Sequence, residues 1–480
     1  MQDLNFANEM DIAFDKTELL IFEKIAFAAR KLNMEAFVIG GFVRDKLLKR
    51  VSKDIDIVCI GDGIALAQAV ANLFSPKPDV HYFKTYGTAQ IKTQDLEIEF
   101  VGARKESYSA DSRNPSVTEG NLGDDQMRRD FTINALAISL NKNDYGKLID
   151  SFDGLHDLQY GVLRTPLEPE QTFIDDPLRM MRAFRFASQL NFTVADLSFE
   201  AIKKNASRIQ IITKERITDE LHKIMQSKKP SIGFDLLFRA GILAHIFPQL
   251  NDLAGAEYVE GKGHKDNCYH TIQVVDNIAI HTQNVWLRWA ALLHDIGKPA
   301  TKLFEVGHGW TFHGHEWIGS KMVPSIFKQL RLPLGEEMRY VQKLVQLHHR
   351  PVSLTKCDIT DSAMRRLLFD AGEDIDDLLT LCNADITSKN IEKVNRYREN
   401  FQLVSERLKE VEESDKIRNW QPPITGEIIM QTFDLKPSRM IGDIKDAVRE
   451  AILDGVIPNE YEAAFAYMIL KAKELNIEPK

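Results

Sequence analysis

The chain has 480 residues, 44% hydrophobic and 27% charged, with a formal net charge of −9. This exceeds what one core normally fills, so several domains are expected. There is no long apolar span, and the N-terminus Met1-Gln2-Asp3-Leu4-Asn5 lacks the basic-then-apolar pattern of a signal peptide, so the expectation is a cytoplasmic protein without a membrane partner. Cys59, Cys268, Cys357 and Cys382 are scattered without a CxxC pair. That spacing excludes zinc fingers and fits reduced, packing thiols.

In chain order, Ala36-Phe37-Val38-Ile39 reads as a short buried strand. Gly40-Gly41-Phe42-Val43-Arg44-Asp45 follows, where two glycines permit a sharp turn and close approach to a ligand. A helix is predicted from about Phe42, its free N–H groups and Arg44 facing a triphosphate. In Lys53-Asp54-Ile55-Asp56-Ile57-Val58 the alternation predicts a strand with Asp54 and Asp56 on one face. Two adjacent carboxylates repel unless a cation lies between them, and Mg²⁺ suits oxygen ligands shared with phosphates. Leu96-Glu97-Ile98-Glu99-Phe100 places Glu97 and Glu99 on one face, either being available as a further ligand.

The segment from Gly102 to Asp125 is polar and rich in Ser and Asn, and reads as a long mobile loop. Strand and helix patterns alternate to about Asp150, after which helical periodicity dominates. In Arg128-Arg129-Asp130-Phe131-Thr132-Ile133-Asn134 the paired guanidiniums can hold a triphosphate, with Asp130 and Asn134 contacting sugar or backbone. In Asp175-Asp176-Pro177-Leu178-Arg179 the three-residue spacing of Asp176 and Arg179 predicts one helical face. An acid accepting from a base amino group and an arginine donating to a ring acceptor would mimic a Watson–Crick edge, with Arg182 and Arg185 beyond them. Lys203-Lys204, Arg208, Lys214, Arg216, Lys223 and Lys228-Lys229 form a positive stripe suited to RNA phosphates.

The second half carries different chemistry: His270, His294-Asp295-Ile296-Gly297-Lys298, His315, His348-His349 and Asp385. His294 and Asp295 follow the apolar run Trp289-Ala290-Ala291-Leu292-Leu293, which would carry them into a buried site. Imidazole with carboxylate suits Ni²⁺, Mn²⁺, Co²⁺, Fe²⁺ or Zn²⁺ better than Mg²⁺. Spacing leaves open whether His313 or His315, and His348 or His349, is a ligand. Gly255 to Gly263 reads as a linker, a charged helix runs through Glu413, and Trp420-Gln421-Pro422-Pro423 opens a small helical tail.

These blocks, with Asp153-Gly154 and Glu215-Arg216-Ile217-Thr218 plus Glu220, occur in the order that resembles the bacterial class II tRNA nucleotidyltransferases, the CCA-adding enzymes and their poly(A) polymerase relatives. Asp175 stands where that family usually carries Glu. The histidine series resembles the HD-type metal-dependent phosphohydrolases. The resemblance implies an α+β architecture, a polymerase β-like head followed by an all-helical neck, an HD domain and a tail. We place these at residues 1–162, 163–254, 255–392 and 393–480. It implies addition of C and A to the tRNA 3′ end from CTP and ATP, without DNA, and phosphohydrolysis in the HD domain. Asp54 and Asp56 would be catalytic Mg²⁺ ligands, and Gly40, Gly41, Arg44, Arg129, Asp130, Asn134, Asp176, Arg179 and Arg182 would bind nucleotide. His270, His294, Asp295, His315, His348 and Asp385 would hold the second metal. The alternatives are a poly(A) polymerase or A-adding enzyme, and an HD phosphohydrolase whose head is an RNA-binding platform.

Overall fold

The computed structural model describes residues 12, 14–83, 87–93, 96–109, 112–255, 258–259, 262–263, 266–354, 360–387, 391–415 and 422–479. The chain divides into two compact units, Met1–Pro248 and Gln249–Lys480. Among the described residues no helix is long and apolar enough to cross a membrane.

The first unit is organised by strands β1 (Ala36–Ile39), β2 (Asp54–Cys59), β3 (Val80–Phe83), β4 (Thr88–Lys92), β5 (Glu97–Gly102), β6 (Arg104–Ser109), β7 (Ser112–Glu119), β8 (Ala137–Ser139) and β9 (Leu148–Ile149). Seven of them form one mixed sheet in the order β3-β4-β5-β2-β1-β8-β9. β1 is buried along its whole length and pairs antiparallel with β2 and β8, while β2 runs parallel to β5. An apolar strand covered on both faces belongs at the centre, which explains the uninterrupted run Ala36-Phe37-Val38-Ile39.

Helices α1 (Lys16–Lys31), α2 (Gly41–Leu47) and α3 (Gly63–Ala71) accompany these strands. Asp15 and Glu18 close a capping box at the start of α1, whose Ile21, Phe22 and Ile25 are buried. Each such side chain contributes roughly 1.5–3 kcal/mol of transfer free energy. Phe22 meets Phe42 of α2 at 5.8 Å between ring centroids, so α1 fixes the helix that follows the double-glycine turn.

The expected long loop from Gly102 to Asp125 is instead largely ordered. β6 and β7 form a two-stranded antiparallel hairpin separate from the main sheet, followed by α4 (Leu122–Met127). Backbone pairing, not an apolar stripe, defines this hairpin, so it leaves little alternation to read in its polar sequence. After α5 (Gly154–Tyr160), the remainder of the first unit is mainly helical. It comprises α6 (Pro169–Asp175), α7 (Leu178–Leu190), α8 (Asp196–Lys204), α9 (Lys214–Met225), α10 (Pro230–Arg239) and α11 (Ile242–Ile246), with α12 (Pro248–Asn251) at the junction. α7 is almost wholly buried and packs against α9 and α10.

In the second unit α13 (Asn267–Ala279), α14 (Val285–Leu293), α15 (Lys298–Thr301), α16 (His315–Gln329), α17 (Glu336–Leu347), α18 (His349–Leu354), α19 (Asp361–Ala371) and α20 (Ile375–Asp385) form a bundle. Apart from the buried Arg288, α14 is apolar all round, and it lies against α13, α17 and α20 as a central helix must. α21 (Ile391–Asp415), α22 (Gly426–Phe433), α23 (Arg439–Leu453) and α24 (Tyr461–Glu474) complete the chain. Cys59, Cys268 and Cys382 are buried free thiols. Cys357, Trp420, Gln421 and part of the segment from Gly255 to Gly263 lie outside the described residues.

Candidate active sites

A cleft of about 840 Å³ in the first unit is lined by Asp54, Asp56, Arg129, Asp176, Arg179 and Arg182, among others. Asp54 and Asp56 alternate on β2 as expected and face Glu97 and Glu99 in the parallel register with β5. The two glutamates separate here. Glu97 is engaged by Lys92 Nζ at 2.5 Å and Gln90 Nε2 at 3.2 Å. Glu99 has its carboxyl pushed up by loss of surrounding water and then by Asp56. Burial pushes Asp56 up as well, against the pull of Arg129, with Asp54 adding to the rise. Neighbouring carboxylates that resist ionisation are a donor set suited to a divalent cation sharing its remaining positions with phosphate and water.

Gly40 begins this site with φ +86, and a Cβ there would lie 2.8 Å from both Arg129 Nη1 and Asp56 Oδ2. Glycine is needed for the backbone angle and for this close approach. Gly41 starts α2 one residue earlier than expected. Arg44 turns its fork onto Asp45, with bonds of 2.9 Å from Nε and Nη2, and donates from Nη1 to Asn134 Oδ1 at 2.8 Å. It therefore borders the cleft as part of a bonded frame.

Asp125, expected from sequence only as the end of a loop, is fully buried and holds the nearby Arg128 and Arg129. Arg128 reaches its Oδ1 at 2.5 Å and Arg129 its Oδ2 at 3.2 Å. The i,i+3 and i,i+4 spacing was the available signal. Asp130 accepts from Arg182 Nε and Nη2 at 2.6 Å and from Asn134 Nδ2 at 2.9 Å. Burial alone would raise its pKa, but Arg182 and Asn134 outweigh that and hold it well below the usual carboxylate range.

Asp176 and Arg179 are brought to one cleft, but not by one helical face. Asp176 is extended (φ −136) after α6, and Arg179 lies in the first turn of α7. Pro177 disfavours helical backbone at the residue before it, which explains the break. Asp176 Oδ1 accepts the Leu178 N–H at 3.1 Å, and Arg179 Nη2 donates to the Arg128 carbonyl at 2.5 Å. Asp175 accepts from Gln171 at 2.6 Å. Arg185 pairs with Glu220 Oε1 at 3.1 Å, which ties the Glu215–Glu220 block to α7. Burial and then Arg182 pull Arg185 down to about 10. Asp153 is left-handed (φ +62), and a Cβ on Gly154 would stand 2.5 Å from the Thr132 carbonyl oxygen, so this pair buttresses the turn carrying Asn134. Of the basic stripe, Arg216 and Lys223 line the cleft, whereas Lys204 bonds Glu170 at 2.6 Å.

In the second unit six predicted side chains converge as two donor groups, His270/His294/Asp385 and Asp295/His315/His348. Asp295 joins them. Its Oδ2 lies 3.1 Å from His294 Nε2 and 3.5 Å from His270 Nε2, and its Oδ1 lies 3.4 Å from His315 Nε2. His294, His315 and His348 each turn Nδ1 to a backbone carbonyl three residues earlier, at 2.7, 2.8 and 2.7 Å. Carbonyls only accept, so each Nδ1 carries the hydrogen and each Nε2 presents a lone pair. His315 Nε2 and His348 Nε2 face each other at 3.3 Å, and buried His294 Nε2 has no well-directed hydrogen bond. Lone pairs so arranged fit a cation among them.

Burial and then His294 push His348 down to about 3, keeping it neutral. Burial opposes a charge on His294, yet without a metal Asp295 and Asp385 raise it to about 10, so a cation binding at Nε2 must displace a proton from that nitrogen. His313 is exposed near Glu305, and His349 lies on the surface, so His315 and His348 are the buried members of the two doublets. Gly297 is explained by packing. A Cβ there would be 2.2 Å from the His315 carbonyl oxygen, so glycine lets the segments carrying Asp295 and His315 touch. Lys298 Nζ, 2.5 Å from Asp295 Oδ2, is a further polar neighbour.

A mixed sheet carrying paired acids into an arginine-lined cleft defines a nucleotidyltransferase head, here followed by a helical histidine–aspartate domain. Residues 36–164 match the poly A polymerase head domain, 191–253 the probable RNA and SrmB-binding site of polymerase A, and 268–390 the HD domain. The A-adding tRNA nucleotidyltransferase of Halalkalibacterium halodurans is 34% identical over 238 residues, 48% of this chain and 55% of that one. This chain thus spans about half the length of that relative. The multifunctional CCA protein of Nitrosococcus oceani is 31% identical over 365 residues, 74% of this chain and 86% of that one. The Bacillus stearothermophilus CCA-adding enzyme in complex with CTP shares the fold, with a TM-score of 0.63 and 22% identity over 95% of this chain and 98% of that one. The chain belongs to the bacterial class II tRNA nucleotidyltransferase and poly(A) polymerase family, in the form that carries a C-terminal HD domain.

Proposed function

We propose that the first unit adds C and A to the 3′ end of tRNA in the cytoplasm, without a nucleic-acid template and using CTP and ATP. The observation that carries this reading is one cleft lined both by Asp54 and Asp56 and by Asp176 and Arg179. The first pair suits phosphoryl chemistry and the second suits a base edge. Bound Mg²⁺ would acidify the terminal 3′-hydroxyl and neutralise the phosphates as pyrophosphate leaves. Asp54 and Asp56 would hold it. Arg129, Arg179 and Arg182 orient the nucleotide, and the carboxylate of Asp176 accepts from the amino group that cytosine and adenine share and that uracil lacks. The six-donor cluster of the second unit would hold a divalent transition metal such as Ni²⁺, Mn²⁺, Co²⁺, Fe²⁺ or Zn²⁺ and hydrolyse phosphate esters.

The A-adding name of the Halalkalibacterium relative supports a second reading, addition of the terminal A alone. Purified protein, Mg²⁺ and two substrates, tRNA ending before CCA and tRNA ending in CC, supplied with labelled nucleotides singly and then with CTP and ATP together, separate them. Two C additions, one A and a stop support CCA addition. A-only products on tRNA ending in CC support the second reading, and no incorporation rejects both.

A further inference from the structure

Phe186 is 6% exposed, lines the first-unit cleft, and has three guanidinium groups over its ring. Arg185 lies 4.2 Å, Arg44 5.0 Å and Arg182 5.4 Å from the ring centroid. The arginines come from separate elements. Arg44 lies on α2 beyond the double-glycine turn, and Arg182 and Arg185 lie on α7. Phe131, within the Arg128–Asn134 block, meets the same ring edge-on at 5.9 Å. A single aromatic side chain therefore joins three sequence blocks of the cleft.

Three like charges around one ring repel, and each is steadied by its own acid: Asp45 for Arg44, Asp130 for Arg182 and Glu220 for Arg185. Those acids fix one end of each group. Arg185 has the weakest hold, since its Nε is buried without a hydrogen bond and its acid anchor is a single 3.1 Å contact from Nη1. The negative face of an aromatic ring attracts a guanidinium without using up the N–H donors that a phosphate needs. A further acid in the place of the ring would take up the N–H donors that the three ion pairs leave open.

We propose that Phe186 is a positioning residue for nucleotide binding, its ring holding Arg44, Arg182 and Arg185 as a preformed cationic array for the triphosphate common to CTP and ATP. This rests on the transferase reading above, and it goes further by assigning the affinity for the triphosphate, as distinct from the choice of base, to an uncharged residue.

The test compares Phe186→Leu, which keeps apolar bulk without the ring, with Phe186→Tyr, which keeps the ring, in the full-length protein. Dissociation constants for CTP and ATP with Mg²⁺ are measured by equilibrium dialysis, beside KM and kcat for incorporation and the thermal midpoint. The expected result for Phe186→Leu is a roughly tenfold rise in both dissociation constants and both KM values, in parallel, with kcat and the C-to-A preference nearly unchanged. Phe186→Tyr stays near the natural protein. Unchanged nucleotide affinity in folded Phe186→Leu overturns the proposal, as does an equal loss in Phe186→Tyr, which would mark a packing role. If Phe186→Leu fails to fold, Phe186→Met gives the same comparison. Nucleotide binding without incorporation into tRNA would refute the transferase reading while leaving the dialysis result to decide the role of Phe186.

Discussion

Asp56 on β2 and Glu99 on β5 are direct partners in a parallel register, so the central acid of the cleft faces a second carboxylate across the sheet. Burial, then the contest between Arg129 and Asp54, leaves Asp56 with a raised pKa. The folded state therefore keeps the Asp56 proton to higher pH than the unfolded chain does, and the contribution of Asp56 to metal-free stability falls as pH rises above about 4. Asp56→Asn is expected to raise the metal-free thermal midpoint at neutral pH by a few degrees, at about 2–4 °C per kcal/mol. It should also lower nucleotide incorporation at least ~10³-fold. Thermal unfolding with and without Mg²⁺ checks this, since added Mg²⁺ should stabilise the natural protein and not the variant.

Asp130 has the opposite sign. Arg182 and Asn134 overcome the effect of burial and keep its pKa low, so its contribution is present above the unfolded value near 4 and is lost as pH falls below it. Asp130→Asn should cost about 2–3 kcal/mol at pH 7, less than a fully enclosed pair would lose because the Arg182 side chain is 35% exposed. Denaturant titrations of both proteins at pH 7 and pH 3 should show the difference shrinking in acid. A constant difference would mean that packing, not charge, is what Asp130 supplies.

Arg179 donates to the carbonyl of Arg128, so the residue assigned to read the base is held by the block assigned to the triphosphate. Arg179→Lys keeps the charge but loses the planar fork. Discrimination of CTP over UTP should fall about 10–100-fold, in line with the ~1–3 kcal/mol of a good bidentate pair, with a smaller change in total incorporation. Single-nucleotide competition assays on tRNA lacking CCA measure the ratio directly.

Sequence made readable the parts whose burial pattern is written locally. The alternation around Asp54 and Asp56 carries the strand period, and the uninterrupted apolar runs of β1 and of the helix leading to His294 mark elements buried on every side. Partnerships formed across the fold were hidden. Nothing local distinguishes Glu97, bonded to Lys92, from Glu99, which faces Asp56, because the difference lies in the register of β4 and β5. The hairpin of β6 and β7 was hidden for a similar reason, having no apolar stripe to betray it. Asp176 and Arg179 met in the cleft through an extended residue before Pro177, where spacing alone had suggested one helix.

Because the Nε2 atoms of His315 and His348 face each other at 3.3 Å, the stability of the second unit is expected to depend on a bound cation. Metal analysis of protein purified without chelator should find divalent transition metal bound, and its removal should lower the thermal midpoint. A site saturated at 100 times its dissociation constant contributes about 2.7 kcal/mol. His348→Ala should bind less metal and lose most of the chelator-sensitive shift, while nucleotide incorporation by the first unit is unchanged.

Gly297→Ala tests the same centre without touching a ligand. The added methyl would lie 2.2 Å from the His315 carbonyl oxygen and 2.7 Å from the Gly319 N–H, both backbone atoms that no side-chain rotation can move aside. The segments carrying Asp295 and His315 must separate, at a cost of about 1–3 kcal/mol. Since Asp295 Oδ1 and His315 Nε2 are already 3.4 Å apart, further separation should weaken metal binding more than it weakens the fold. Metal stoichiometry should drop sharply in a variant that still unfolds cooperatively, with CTP and ATP incorporation retained. Full metal content would show that the glycine serves only chain packing, and the cluster would then tolerate a displacement that its geometry argues against.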